Sequence, residues 1–171
     1  MSAVIKIFEM SASLSGTDKT SSTARFKLAD NALANVSDPL TIPSSGVVVS
    51  YSKQVRVYCA TAPSIYIDNL LAYSDGTNSF GAGISVTASN YSASCGNPHV
   101  FVANHRSTLT ASYNLFGMVA GTPIDLDAIH TASVNATGFC GDILVMHMIV
   151  DNTAAPGASG TETLTIGYDE V

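Results

Sequence analysis

Ile143-Leu144-Val145-Met146-His147-Met148-Ile149-Val150 is the longest apolar run in this 171-residue chain, interrupted only by His147. Successive residues of a strand point to opposite sides of a sheet. Val145 and Ile149 then lie on one side, and Leu144, Met146, Met148 and Val150 on the other. Both sides are apolar, the pattern of a central strand covered on both faces. Gly141-Asp142 before the run and Asp151-Asn152 after it are turn signals that hold it to strand length. Nothing on either side extends it to a helix.

Working outward, the turn-rich stretch 152–161 leads to an alternating end, with Leu164, Ile166 and Tyr168 opposed by Thr163, Thr165 and Asp169. This is a half-buried final strand, expected to pair with the central run as a hairpin. Upstream, residues 3–10 form a first strand and 11–22 a polar turn. In 23–28, Ala24, Phe26 and Leu28 alternate with Arg25 and Lys27, which predicts core on one side and water on the other. Residues 30–36 are a loop or one helical turn, and Leu40-Thr41-Ile42 is a short extended piece. Residues 47–60 are β-rich with polar 50–53 in the middle, implying a bend, a bulge or two strands end to end. In 64–73, Ile65, Ile67 and Asn69 share one side, and Tyr66, Leu70 and Ala72 the other. Asp75-Gly76 is a turn. Strands are expected at 84–89 and 100–103, with weak alternation over 107–113 and an extended connection over 115–127. Eight to ten short strands without an amphipathic helix predict one all-β domain over 1–171, an antiparallel β-sandwich of jelly-roll or Ig-like type, with a closed barrel as the alternative.

Composition narrows the classes of function. Hydrophobic residues make up 46% of the chain, enough for a packed core, and charged residues only 12%, about half the usual share. Ser, Thr, Asn and Gly keep the surface wet instead. The net charge is −6 and the seven basic residues form no stripe, which argues against nucleic acid. No run approaches the roughly 18 apolar residues of a membrane span. The start, Met1-Ser2-Ala3-Val4-Ile5, carries no basic region or cleavage site and predicts synthesis in a cytoplasm without a signal peptide.

No stretch carries a catalytic signature, and no cofactor is expected. Cys59, Cys95 and Cys140 are odd in number and lack CxxC spacing, which predicts packing residues rather than a zinc site, with an intra- or intermolecular disulfide as the alternative. Cys95, in a loop, is expected to be the most exposed. His99, His105, His130 and His147 lie in separate segments, and His147 reads as a core histidine. Asp68, Asp75, Asp142 and Asp151 sit at strand ends and Asp125 and Asp127 at i, i+2. They could build an oxygen-ligand cation site, but Asp at turns bonding its own backbone is the stronger expectation. Asn35, Asn90 and Asn135 match the glycosylation pattern by chance. Tyr58, Tyr66 and Tyr73 are candidates for a sugar-stacking face, although strand tyrosines more often just cover a sheet.

The opening strand, Arg25-Phe26-Lys27, Asp38-Pro39 followed by Ile42-Pro43, Asp75-Gly76 followed by Phe80-Gly81-Ala82-Gly83, and the end Thr161-Glu162-Thr163-Leu164-Thr165-Ile166-Gly167-Tyr168-Asp169-Glu170 together resemble small structural proteins of tailed-phage virions. The resemblance is diffuse and does not cover 91–137. It implies a non-enzymatic β-sandwich of the capsid decoration (cement) type, or a neck, collar or tail component. The implied partners are the major capsid protein or other virion proteins, the implied state a homo-oligomer, trimeric by preference, and the implied location the virion. A carbohydrate- or receptor-binding sandwich on the same particle is the alternative.

Overall fold

The computed structural model describes residues 2–10, 16–29, 37–91, 113–127, 133–157 and 160–171. In chain order the strands are β1 (Val4–Met10), β2 (Gly16–Asp18), β3 (Val47–Val49), β4 (Lys53–Thr61), β5 (Ile67–Tyr73), β6 (Ile84–Tyr91), β7 (Tyr113–Asn114), β8 (Ile124–Asp125), β9 (Gly138–Asp151) and β10 (Thr165–Glu170). A seven-stranded sheet has the order β2-β1-β4-β9-β6-β7, with β3 also on β9; a three-stranded sheet has the order β10-β5-β8. Every pairing is antiparallel. The fold is an all-β sandwich of a large and a small sheet.

β9 is the axis of the large sheet, and it is longer than the apolar run, at 14 residues. β4 and β3 follow each other along one edge of it and β6 takes the other. Leu144, Met146, Met148 and Val150 enter the core between the sheets. Ile143, Val145 and His147 are buried on the opposite face. Two-sided apolarity therefore marks a strand covered on both faces. The core between the sheets is completed by Val55, Val57 and Cys59 from β4, Val86 and Ala88 from β6, and Ile67, Leu70, Ala72, Ile124 and Leu126 from the small sheet and its edge.

Gly141-Asp142 does not end a turn before β9; it is a bulge inside the strand. Cys140 pairs with Val57 and Leu144 with Val55, so residues 141–143 of β9 oppose the single residue Arg56 of β4. Gly141 takes φ +66° there, a conformation that glycine adopts without a Cβ penalty. The bulge turns the Asp142 N–H toward the small sheet, where it donates to the Leu126 carbonyl at 2.6 Å.

The region 47–60 resolves into two strands end to end. Between them Ser50 maintains the ladder: its N–H donates to Met148 O at 2.9 Å and its hydroxyl accepts the Met148 N–H at 3.0 Å. Other expectations need correction. β10 does not form a hairpin with β9. Both edges of β9 are already occupied, and β10 pairs with β5 in the small sheet. Residues 23–28 are not a strand, and Lys27, expected in water, is 1% exposed while Ala24 is exposed. Leu40-Thr41-Ile42 makes no strand pairing, whereas Gly16–Asp18, read as turn, is strand β2. Connection 115–127 contains a 3-10 turn (Leu115–Gly117) and β8. The expectations for 30–36 and 100–103 lie outside the described residues, as does nearly all of 107–113.

In β5 the side assignment changes partway. Asn69 sits at φ +55°. Leu71 pairs with Gly167 and Asp68 with Asp169, so Asn69 and Leu70 together oppose Tyr168 alone. This bulge puts Ile67, Leu70 and Ala72 all in the core, each at 0% exposure, despite their odd spacing. Ile65, which strict alternation would have buried with Ile67, is 60% exposed.

Candidate interaction surface

The bulge at Asn69 has a second effect. Tyr66 and Tyr73 are seven residues apart, an odd number, and would point to opposite sides of a regular strand. With one extra residue between them they share the outer face of the small sheet. The rows across that face follow from the register. Tyr66 and Val171 exchange backbone hydrogen bonds (3.0 and 3.3 Å) and are directly opposed. Asp68 faces Asp169, Leu71 faces both Gly167 and Asp125, and Tyr73 faces Thr165. The three carboxylates and Val171 are exposed; Tyr66, Leu71 and Tyr73 are half-buried. The Tyr73 ring lies along Gly167, with Cε1 3.5 Å from where a β-carbon would stand. Asn69 Nδ2 donates to Asp169 Oδ2 at 3.0 Å, and the Asn69 N–H donates to Asp68 Oδ1 at 2.9 Å, fixing the bulge from both strands.

Below this face the carboxylates continue inward. Asp127 Oδ2 accepts the Leu70 N–H at 2.7 Å. Burial raises its pKa above the ordinary aspartate value, and the neighbouring charges of Asp125, Asp68 and Asp142 push the same way, against the Leu70 bond. Asp142 is fully buried, with Asn90 Nδ2 at 3.4 Å from its Oδ2. Asp75, Asp125 and Asp151 each accept the N–H two residues on, from Thr77, Asp127 and Thr153, which is local turn bonding. Among the described residues no three His, Cys, Asp or Glu side chains are grouped to hold a metal ion.

The remaining candidates are dispersed. Tyr58 is on the outer face of the large sheet, packed on Phe8 (centroids 5.3 Å) and Phe139 (5.1 Å), and the Arg56 guanidinium sits 5.3 Å above the Phe139 ring. It takes no part in the face that carries Tyr66 and Tyr73. His147 is fully buried on β9, and Cys59 and Cys140 are buried free thiols in the core. Burial pushes the Cys140 thiol up to about 12 and raises Cys59 as well. Cys95, His99, His105, His130 and Asn35 lie outside the described residues. Asn90 is half-buried and holds the Asp125 carbonyl at 3.1 Å, while Asn135 is exposed. A shallow hollow of about 260 Å³ beside β7, lined by Tyr113, Asn114, Gly117, Met118, Thr122 and Pro123, brings together no carboxylate, histidine or cysteine. Among the described residues no helix is long and apolar enough to cross a membrane.

Alternation could not reveal this face, because the side on which Tyr66 lies is decided by Asn69. The available signal was Asp68-Asn69 itself, a turn-type pair inside an apolar strand. No family model, curated protein or solved structure matches the chain.

Proposed function

We propose that this chain is a non-enzymatic structural protein of a phage virion, a capsid decoration protein that binds the head exterior, with a neck, collar or tail position as the variant of the same reading. The observation that carries it is the end of the sandwich where the two ends of the chain meet. Glu170 holds Ser2 and Ala3 there: Oε1 accepts the Ala3 N–H at 2.8 Å and Oε2 the Ser2 hydroxyl at 2.7 Å. Around this clip Val4, Ile65 and Val171 are 48%, 60% and 52% exposed. Exposed apolar side chains on a charge-poor surface favour packing against a neighbouring subunit. The resemblance to tailed-phage structural proteins supplies the particle.

Light scattering with and without reductant, together with sedimentation of the chain with shells of the partner capsid protein, tests the reading. The expected result is a trimer indifferent to reductant that sediments with the shells, and a double variant Ile65→Asp, Val171→Asp that stays folded but remains in the supernatant. A monomer that never sediments with shells would sink it.

A glycan-binding sandwich is the second reading. It is favoured by the placement of Tyr66 and Tyr73 on one face with Asp68, Asn69 and Asp125, since aromatic rings beside polar groups suit a sugar. Titration with neutral oligosaccharides, followed by tyrosine fluorescence, distinguishes it from the first.

A further inference from the structure

We propose that the outer face of the small sheet docks a basic protein segment, one that presents lysine or arginine side chains around apolar ones. The inference names a partner class and rests on the reading above that the chain works by assembly. Asp68 and Asp169 face each other directly across β5 and β10, both exposed. Like charges directly opposed in a ladder destabilise it. The Asn69 amide offsets part of that by bonding Asp169. Asp125 adds a third carboxylate beside Leu71. None of β5, β8 and β10 contains a lysine or arginine. The lysines of the chain are committed elsewhere: Lys6 pairs with Asp18, Lys19 and Lys53 with Glu9, and Lys27 is buried.

The small sheet thus holds a negative field that costs the isolated chain stability and becomes attraction when cationic groups arrive. Asp127, just beneath, is raised in part by the same carboxylates. Tyr66, Leu71, Tyr73 and Val171 lie among the charges. Their apolar surface suits the methylene stems of lysine and arginine, and the tyrosine rings suit the cationic heads. A second copy docking through the same face would bring the same carboxylates and be repelled. A chain of net charge −6 whose lysines are paired or buried has little cationic surface to offer from another face, so the occupant is a different, basic partner.

The probe is a synthetic peptide of alternating lysine and valine, with its glutamate–valine counterpart as control, followed by backbone NMR of the full chain. The expected result is that the lysine peptide shifts the amides of Asp68, Leu71, Tyr73 and Gly167, that the glutamate peptide does not, and that affinity falls as salt rises. The double variant Asp68→Asn, Asp169→Asn should bind at least tenfold more weakly. Asp38→Asn, Asp75→Asn, which changes net charge equally on exposed loops, should bind as the parent does. Equal losses in both variants, shifts away from the small sheet, or shifts caused by neutral oligosaccharides and not by the lysine peptide would each overturn the proposal. A chain that binds the peptide here but never sediments with capsid shells keeps this inference and loses the virion reading. The reverse result removes this inference alone.

Discussion

Glu9 on β1 and Lys53 on β4 close an ion pair inside the protein: Lys53 Nζ lies 2.5 Å from Glu9 Oε1, and the two side chains are 4% and 3% exposed. Lys19 approaches the other carboxylate oxygen at 3.6 Å and is itself 9% exposed. One carboxylate therefore serves two ammonium groups, that of Lys53 out of reach of bulk water and that of Lys19 at the edge, where it also donates to the Thr23 carbonyl. Such a pair adds little net stability over an apolar pair, but removing one partner strands the other charge. Glu9→Gln should cost about 3–5 kcal/mol in urea unfolding, the range for breaking a buried pair. The double change Glu9→Leu, Lys53→Met should recover much of that. A loss under about 1 kcal/mol for Glu9→Gln would mean that water reaches the site, as at surface pairs.

The bulge in β5 makes its own prediction. Asn69 at φ +55° is in the left-handed region, where asparagine is tolerated and β-branched residues are strained. Asn69→Gly should be nearly neutral apart from the lost bond to Asp169. Asn69→Val should cost about 1–3 kcal/mol, the range for a residue held in a sparsely populated backbone region. If valine is instead accepted by ironing out the bulge, amide NMR will show Tyr66 and Tyr73 on opposite faces, and binding at the small sheet will fail.

These bulges mark the boundary of what could be read from residues alone. The identity of β9 as a doubly covered strand was legible, because its apolar residues fall on both parities and the run is of strand length. Its true extent was not. Gly141-Asp142 carries the same letters whether it ends a turn or bulges a strand, and only pairing with Val55 and Val57 decides. β10 was legible as a strand but not by partner: local hairpin logic joins it to β9, while the edges of β9 go to β4, β3 and β6. Lys27 failed for a related reason. Alternation over 23–28 presumes a sheet, and that segment joins none. The face carrying Tyr66, Asp68, Leu71 and Tyr73 was hidden by one residue in left-handed conformation.

Asp127 ties stability to pH. Burial, then the charges of Asp125, Asp68 and Asp142, raise its pKa in the folded state above the ordinary 3.8. An acid whose folded value is raised favours folding when protonated. Its contribution is complete below pH 3.8 and disappears as the pH climbs through the higher folded value. Asp127→Asn keeps an acceptor for the Leu70 N–H and never ionises. The variant should therefore gain stability relative to the parent between pH 3 and pH 6, measured by urea unfolding at each end. A relative loss across that interval would show that the Leu70 bond to the charged carboxylate dominates.

The thiols give a kinetic test. Cys59 and Cys140 are buried in the core and shifted upward, Cys140 to about 12. The thiolate is the reacting form, so at pH 8 both should resist a maleimide in the native state and react at once in denaturant. Peptide mapping after timed labelling assigns each thiol. Rapid native labelling of either would place it near an opening in the sandwich.

The place of β9 in the chain has a consequence for how the protein is made. β4, β3 and β6 all rest on a strand that begins at Gly138. During synthesis all of the stretch from β1 to Gly138 must leave the ribosome before the axis of the large sheet exists. Until then those strands have no central partner, and their unpaired edges invite aggregation. Such distant pairings fold slowly, so the yield of native protein should depend on chaperones that hold the nascent chain and on slow growth at low temperature more than on the stability of the finished fold.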